Sequence, residues 1–274
     1  MIITSLNGRL GNQLFQYAFA ISVSRKLNIM YVINDTTTND AVRKYFGIIS
    51  VTDYKWIRKI LNLIDYIIKL PKDEQSSFKT NQQILNESVN NTHYVGCYQS
   101  ADFFLENEIF LRRKLKLKLK YRNSFKKKFI HLFNTKTLVI HYRIGDFKNF
   151  GGSELGGINL CLPDSYYENA LKLIKNKEDY QIILVTDDIE AAKHKLPDIK
   201  HKFFVTDSEI NDLQLLMHAD VLIISNSTFA WWGAYLNVKN AKIFAPEYWL
   251  GFKIKKEFPY NIIPDNFIKV SFDC

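Results

Sequence analysis

The sequence predicts an α/β fold with parallel, doubly wound sheet, and three observations carry that expectation. From residue 137 onward, apolar β-branched runs alternate with segments of helical periodicity, strand and helix in turn. The chain begins with the same device, an apolar run over 2–6, a glycine turn over 7–13 and an apolar helix behind it. Polar residues then collect at the carboxyl ends of three strands, where open α/β sheets hold their ligands. A chain of 274 residues makes one large domain or two lobes. The end of a basic stretch near Asn134 divides it into 1–134 and 135–274, leaving room for the C-terminal tail to pack back on the first lobe.

Taken in order, Ile2 to Leu6 is a strand that ends at Asn7-Gly8-Arg9-Leu10-Gly11-Asn12-Gln13, and Leu14, Phe15, Tyr17, Ala18, Phe19 and Val23 begin a helix. The glycines suit a tight connection. They match neither G-x-G-x-x-G nor a P-loop, which sets aside dinucleotide and nucleoside-triphosphate readings. Arg9, Asn12 and Gln13 bring hydrogen-bonding heads into the same corner. Met30 to Asn34 is a second strand and 36–40 a polar loop. Over 53–69, Ile57, Ile60, Leu61, Ile64, Ile67 and Ile68 recur at helical spacing. With Arg58, Lys59, Asp65 and Lys69 the segment is too short and too charged to span a bilayer, so it reads as a packed helix, with docking on a membrane surface the lesser option. Residues 72–91 read as loop, His93 to Tyr98 as a strand, and one helix continues through the basic stretch.

The second half is organised around Leu138-Val-Ile-His141-Tyr-Arg143-Ile-Gly145-Asp146, a buried strand over 137–142 that hands over to polar residues within six positions. A glycine-rich loop, Gly151 to Gly157, follows, and Pro163 opens a helix carrying Tyr166, Tyr167, Ala170, Leu171 and Ile174. Gln181 to Val185 is a strand ending in Thr186-Asp187-Asp188, with a helix to Leu196. Lys202 to Val205 is a strand, and Asp207, Ser208 and Asp212 open the next helix. Val221 to Ile224 is a strand ending in Ser225-Asn226-Ser227-Thr228, ahead of a helix rich in aromatic and small residues. Ala241 to Ala245 is the last strand.

Hydrophobic residues at 47% and charged residues at 24% exclude a disordered or fibrous chain. The net charge of +9 points to an anionic partner. Arg112, Arg113, Lys114, Lys116, Lys118, Lys120, Arg122, Lys126, Lys127 and Lys128 crowd into residues 112–128. Such a run is most often a solvated face; the alternative is peripheral attraction to an anionic membrane. No nucleic-acid motif accompanies it, so no nucleic acid is expected. Cys97, Cys161 and Cys274 have neither metal-ligand spacing nor a disulfide framework, and no basic-then-apolar leader opens the sequence. Both fit a cytoplasmic protein, peripheral at most to the inner face of the membrane.

The polar strand ends share a chemistry. An Arg makes paired hydrogen bonds to phosphate oxygens, which suits Arg143 to an anion. Ser227 and Thr228 at a helix N-terminus offer hydroxyls and free backbone N–H groups to the same anion. A carboxylate at a strand end, Asp187 or Asp188, can accept the paired N–H groups of guanine. Each has an ordinary reading alone: helix caps for Ser227, Thr228 and the aspartates, and a satisfied core histidine for His141. Strand ends of one such sheet open onto a shared crevice, so the coincidence of three points to a nucleoside diphosphate site.

Gly8-Arg-Leu-Gly-Asn-Gln-Leu-Phe-Gln-Tyr-Ala-Phe-Ala20, His141-Tyr-Arg143-Ile-Gly-Asp146, Thr186-Asp-Asp188 and Ser225-Asn-Ser-Thr-Phe-Ala-Trp-Trp-Gly-Ala-Tyr-Leu-Asn237 resemble, in order and over nearly the whole chain, the bacterial α-1,2-fucosyltransferase family, glycosyltransferase family 11. Tyr94-Val-Gly-Cys-Tyr-Gln-Ser-Ala-Asp-Phe-Phe104 resembles its inter-motif segment. The His-x-Arg element is shared with α-1,6- and protein O-fucosyltransferases. The resemblance implies a GT-B-like fold, two Rossmann-like lobes with the donor cleft between them, GDP-fucose held mainly by the second lobe and a glycan acceptor approaching from the first. It implies an inverting transfer of L-fucose from GDP-β-L-fucose to a sugar hydroxyl, O-2 of a galactose or similar hexose in a surface glycan such as O-antigen. No cofactor and no metal is expected. The rival is a different GDP-sugar, linkage or acceptor, as in protein O-fucosyltransferases; outside enzymes it is a basic module for nucleic acid or an anionic surface.

On this resemblance Arg143 matches the Arg on the donor diphosphate, and His141 with one of Asp187 and Asp188 matches residues near the guanine. Ser227 and Thr228, with Asn226 in the same turn, match the phosphate-holding end, and Arg9 and Asn12 the turn facing the reacting sugar. Arg143 and a helix end can neutralise the leaving diphosphate, and the chain has no Asp-x-Asp near them. Ile144 stands where family members commonly carry a second Arg, and Arg9 where many carry Gly. Glu154 and Asp146 are the carboxylates near Arg143 available as a base, though neither carries over by spacing.

Overall fold

A computed structural model of the chain describes residues 1–34, 40–47, 54–193 and 202–273. The chain divides into two compact units, Met1–Leu119 and Lys120–Cys274.

The first unit runs β1 (Ile2–Ser5), α1 (Leu10–Leu27), β2 (Tyr31–Asn34), α2 (Ala41–Tyr45), α3 (Lys55–Ile68), β3 (Lys72–Glu74), α4 (Asn81–Asn86), β4 (Thr92–Val95) and α5 (Glu108–Lys114). Its parallel sheet has the order β2-β1-β4-β3, so the winding reverses between β1 and β4. α1 is buried from Leu10 through Val23 save for Asn12, and ends at Asn28 in the left-handed region, whose N–H reaches the Ser24 and Arg25 carbonyls. Segment 72–91, expected as loop, holds β3 and α4. β3 is a charged, exposed edge strand recognised through its neighbour β4, and α4 starts on a capping box of Thr80 and Gln83. The polar loop expected over 36–40 lies outside the described residues apart from Asp40, which caps α2.

The helix expected through the basic stretch is two helices, α5 and α6 (Leu119–Phe129). Leu115 and Leu117 between them are buried, while Lys116 O accepts from Gly47 N–H at 3.2 Å and Lys118 N–H donates to Tyr45 O at 2.9 Å. The Leu-Lys-Leu-Lys alternation has the period of an extended chain, and it adopts that form. α6 buries Phe125 and Phe129, and Phe125 stacks on His218 at 5.1 Å and meets Phe133. That packing carries the helix with the second unit, so the division falls ahead of residue 134.

The second unit continues with β5 (Thr137–Tyr142), the hairpin strands β6 (Gly151–Gly152) and β7 (Gly157–Ile158), α7 (Asp164–Lys172), β8 (Gln181–Thr186), α8 (Ile189–Lys193), β9 (Lys202–Val205), α9 (Glu209–Met217), β10 (Val221–Ile223), α10 (Thr228–Tyr235), β11 (Lys242–Pro246) and β12 (Ile268–Val270). The six-stranded parallel sheet has the order β12-β11-β10-β5-β8-β9. The chain enters at β5, winds outward through β8 and β9, then returns to β10 on the other side. This is the Rossmann order, with its switch point between β5 and β10. β5 is buried at every position, as a central parallel strand must be. The expected run of α8 to Leu196 passes out of the described residues. β12 was not expected: it pairs with β11, and Phe272 beyond it packs on Tyr166 and Phe252, so the described part of the tail belongs to the second unit. Trp231 and Trp232 are fully buried core residues. The Trp231 indole N–H donates to Ile262 O at 2.8 Å, and Gly233 lets α10 sit against α9, where a Cβ would meet Leu216 Cβ at 2.5 Å.

Candidate active site

At the switch point of the second unit, Ile140 pairs with Ile223 in register, so His141 to Arg143 and Ile224 to Asn226 emerge side by side. His141 Nδ1 and Ser225 Oγ lie 2.8 Å apart and tie the two ends together. His141 is buried, and its burial, with the Arg143 charge acting the same way, lowers its pKa to about 3. At neutral pH it is an uncharged hydrogen-bonding fixture.

Arg143 is the centre of the arrangement. Its Nη1 pairs with Asp187 Oδ2 at 3.0 Å, its Nη2 pairs with Asp146 Oδ1, and its guanidinium lies 5.6 Å from the Phe147 ring centroid. Its Nε is buried and has no hydrogen-bond partner among the described residues. A buried donor left unpaired is costly, and it marks where an acceptor belongs. Asp187 is itself fixed, since its Oδ1 accepts from Ile144 N–H at 2.9 Å.

The next strand end is equally polar. Asn226 is buried; its amide donates to Leu160 O at 3.0 Å, and its Oδ1 has no partner among the described residues. Ser227 is the N-cap of α10 but caps with no side-chain bond, and Thr228 is the first helical residue. Asp188 sits after β8 as the cap of α8: its Oδ1 accepts from Ala191 N–H at 3.0 Å, which holds its carboxyl below the ordinary range, and its Oδ2 is 3.3 Å from Lys148 Nζ. Glu154 is exposed on the β6–β7 hairpin and makes no side-chain hydrogen bond or ion pair among the described residues. No group of three or more His, Cys, Asp or Glu among the described residues is placed to hold a metal ion.

In the first unit, the turn after β1 is built by glutamines. Gln16 Oε1 accepts from Asn7 N–H at 2.9 Å and its amide donates to Gly96 O at 3.1 Å, joining the ends of β1 and β4. Gln13, a candidate from the sequence, is buried and structural: it donates to Gly8 O at 3.0 Å and accepts from Ala41 N–H at 2.8 Å. Gly8 has φ +74, and a Cβ there would strike Asn12 Nδ2 at 2.5 Å, so glycine keeps Asn12 close to the turn. Asn12 Oδ1 accepts from Gln99 Nε2 at 3.1 Å, and Arg9 is exposed beside it.

The family profile described as Glycosyl transferase family 11 matches residues 1–261. This chain belongs to glycosyl transferase family 11. Among curated relatives it is 27% identical to the O-antigen biosynthesis glycosyltransferase WbnK of Escherichia coli, over 89% of this chain and 93% of that one. It is 25% identical to an alpha-1,2-colitosyltransferase of Escherichia coli, over 98% and 99%. Among solved structures, NodZ alpha-1,6-fucosyltransferase soaked with GDP-fucose aligns with TM-score 0.55 at 17% identity, over 86% of this chain and 91% of that one. That likeness speaks to the fold, and two Rossmann-like units in one chain are the GT-B-like architecture.

The departure of this family 11 chain at Ile144 has a structural account. Ile144 is a buried member of the core around Leu155, Leu160 and Tyr166, so a second guanidinium at this position would have to enter an apolar core. In the sequence Gly145 stands in the polar handover with no role assigned to it, although it sets the geometry. A Cβ there would lie 2.4 Å from Asp187 Oδ2, so only glycine lets that carboxylate reach Arg143. Phe147 beneath the guanidinium and Lys148 beside Asp188 were also missed; a glycine two residues after an arginine at a strand end was the available signal.

Proposed function

We propose that this chain is an inverting fucosyltransferase that moves L-fucose from GDP-β-L-fucose to a sugar hydroxyl, O-2 of a galactose or similar hexose in a surface glycan. The observation that carries the reading is Arg143, a guanidinium braced by two carboxylates at a Rossmann switch point, with a buried N–H still unpaired. The solved relative soaked with GDP-fucose supports the donor, and the relatives named for O-antigen biosynthesis and for an alpha-1,2 transfer support the acceptor class and linkage.

In the proposed reaction the acceptor hydroxyl oxygen attacks the anomeric carbon from the face opposite GDP. The bond from that carbon to the β-phosphate oxygen breaks, and the configuration inverts. Arg143 Nε and the positive end of the α10 dipole receive the charge that develops on the diphosphate, so the chain's own atoms supply the neutralisation and no metal is invoked. Asn226 Oδ1, unpaired and buried in the adjacent strand end, is an acceptor for a donor-substrate N–H or hydroxyl. The hydroxyl proton goes to a carboxylate: Asp146 is engaged by Arg143 whereas Glu154 is unengaged, which favours Glu154. Arg9 and Asn12 are the candidates for contacts to the sugar. A second reading replaces fucose by colitose, which lacks the 3-hydroxyl, because the colitosyltransferase relative spans 98% of this chain.

The test is to incubate the purified protein with GDP-fucose or GDP-colitose and a panel of galactoside acceptors, with and without a chelator, and to determine the product linkage. Transfer of fucose to O-2 that survives chelation is expected. Colitose preferred over fucose selects the second reading, and GDP release at background with every acceptor overturns both.

A further inference from the structure

α3 is covered on one side and bare on the other. Ile57, Arg58, Leu61, Asn62 and Ile64 are partly covered, the helix packing along β2. Trp56, Ile60, Leu63 and Ile67 are exposed to 66%, 53%, 57% and 68%. Their spacing of four, three and four residues puts them in one stripe along the helix. Single exposed apolar side chains are ordinary, but a continuous stripe of large ones marks an interaction surface. Tyr66 beside the stripe is exposed to 78%, and Lys55, Lys59 and Lys69 are exposed at its flank and its end.

We propose that α3 docks this protein on an anionic lipid surface, with the stripe among the acyl chains and the lysines among the headgroups. No helix among the described residues is long and apolar enough to cross a membrane, so α3 would lie in the interface. Charge complementarity selects the occupant. A second copy presenting the same face would set lysine against lysine on chains that each carry +9, whereas an anionic bilayer attracts both the flank and the whole molecule. Trp56 and Tyr66 add the amphipathic rings that favour the boundary between headgroup and hydrocarbon. The basic stretch 112–128 is less available than its sequence suggests: Arg112 pairs with Glu108, Lys128 with Asp207, and Lys118 Nζ donates to Arg43 O. The proposal does not rest on the identity of the donor or the acceptor.

The molecule carries its own probe, since Trp231, Trp232 and Trp249 are fully buried and Trp56 is exposed. The full chain is mixed with vesicles of phosphatidylcholine alone or with phosphatidylglycerol, then sedimented, and tryptophan emission is followed. Sedimentation with the anionic vesicles and a blue shift are expected, and Trp56→Phe abolishes the shift. Replacing Trp56, Ile60, Leu63 and Ile67 together by Ser lowers partitioning at least about tenfold, while the melting temperature reports that the variant remains folded. Lys55→Glu with Lys59→Glu removes the preference for the anionic vesicles. The proposal is overturned by failure to sediment with either vesicle, by undiminished binding of the folded serine variant, or by a dimer in sedimentation velocity that the serine replacements dissolve.

Discussion

Replacing Arg143 separates the duty the structure shows, bracing the strand end, from the one we propose, holding the anion. In Arg143→Ala the guanidinium leaves Asp187 and Asp146 without a partner, but these carboxylates are 26% and 51% exposed and water hydrates them. The stability loss is therefore about 1 kcal/mol or less, a shift of a few degrees in melting temperature. The catalytic loss is much larger. Two charge-assisted hydrogen bonds to the departing diphosphate, at about 1.5–3 kcal/mol each, sum to about 3–6 kcal/mol, or roughly a 10²- to 10⁴-fold fall in kcat/KM. Arg143→Lys keeps a charge but cannot engage Asp187, Asp146 and a phosphate oxygen in one plane, so it loses roughly 10- to 100-fold. The assay is initial rates of GDP release over a range of donor concentrations, beside a thermal melt of each variant. If Arg143→Ala keeps kcat/KM within about threefold of the parent while folded, Arg143 does not act on the leaving group and the reasoning fails.

Two further perturbations test the surroundings. Gly145→Ala forces a Cβ to within 2.4 Å of Asp187 Oδ2 and displaces one of the two carboxylates that brace Arg143. A fall of about tenfold or more in kcat/KM without unfolding is expected, and unchanged rates would show that the brace is dispensable. Away from the site, burial, reinforced by the Asp207 charge, raises Asp212 from 3.8 to about 7. The folded chain then holds a proton that the unfolded chain releases, so this stability is complete below about pH 4 and is lost as pH rises through about 7. Asp212→Asn keeps an acceptor for the Asp207 N–H and removes that loss, gaining about 2 kcal/mol more at pH 8 than at pH 5. Urea titrations at both pH values check it; an equal effect at the two would mean that Asp212 ionises normally.

Sequence and structure agree where a segment's own pattern decides its form. β5, β8, β9 and β10 fall within a residue of expectation because each is an apolar run closed by polar residues. β3 and β12 are three-residue edge strands, Lys-Asp-Glu and Ile-Lys-Val, with no pattern of their own; pairing with β4 and β11 creates them. The break between α5 and α6 was written in the period-two alternation of Leu115 to Lys118, which the density of positive charge obscured. In the site, His141, Arg143, Ser225 and Asn226 could be grouped because strand ends are where sheets bind. The reach of Asp187 to Arg143 could not, because it joins residues on different strands through the space that Gly145 leaves.

The braces on Arg143 also bear on how a nucleobase could be read. Asp187 spends one oxygen on Arg143 Nη1 and the other on Ile144 N–H, so it is committed to aiming the guanidinium. Asp188 caps α8 with Oδ1, while its Oδ2 faces Lys148, a half-exposed ammonium on a flexible stem at 3.3 Å. A carboxylate oxygen accepts more than one hydrogen bond, and a mobile lysine yields its place more cheaply than a buried arginine anchor. If the chain reads a guanine as proposed, Asp188 is the aspartate we would assign to its paired N–H groups. Asp187 then belongs with Gly145 as part of the apparatus that positions Arg143, and on the proposed function the Thr186-Asp187-Asp188 strand end would serve diphosphate and base through different carboxylates.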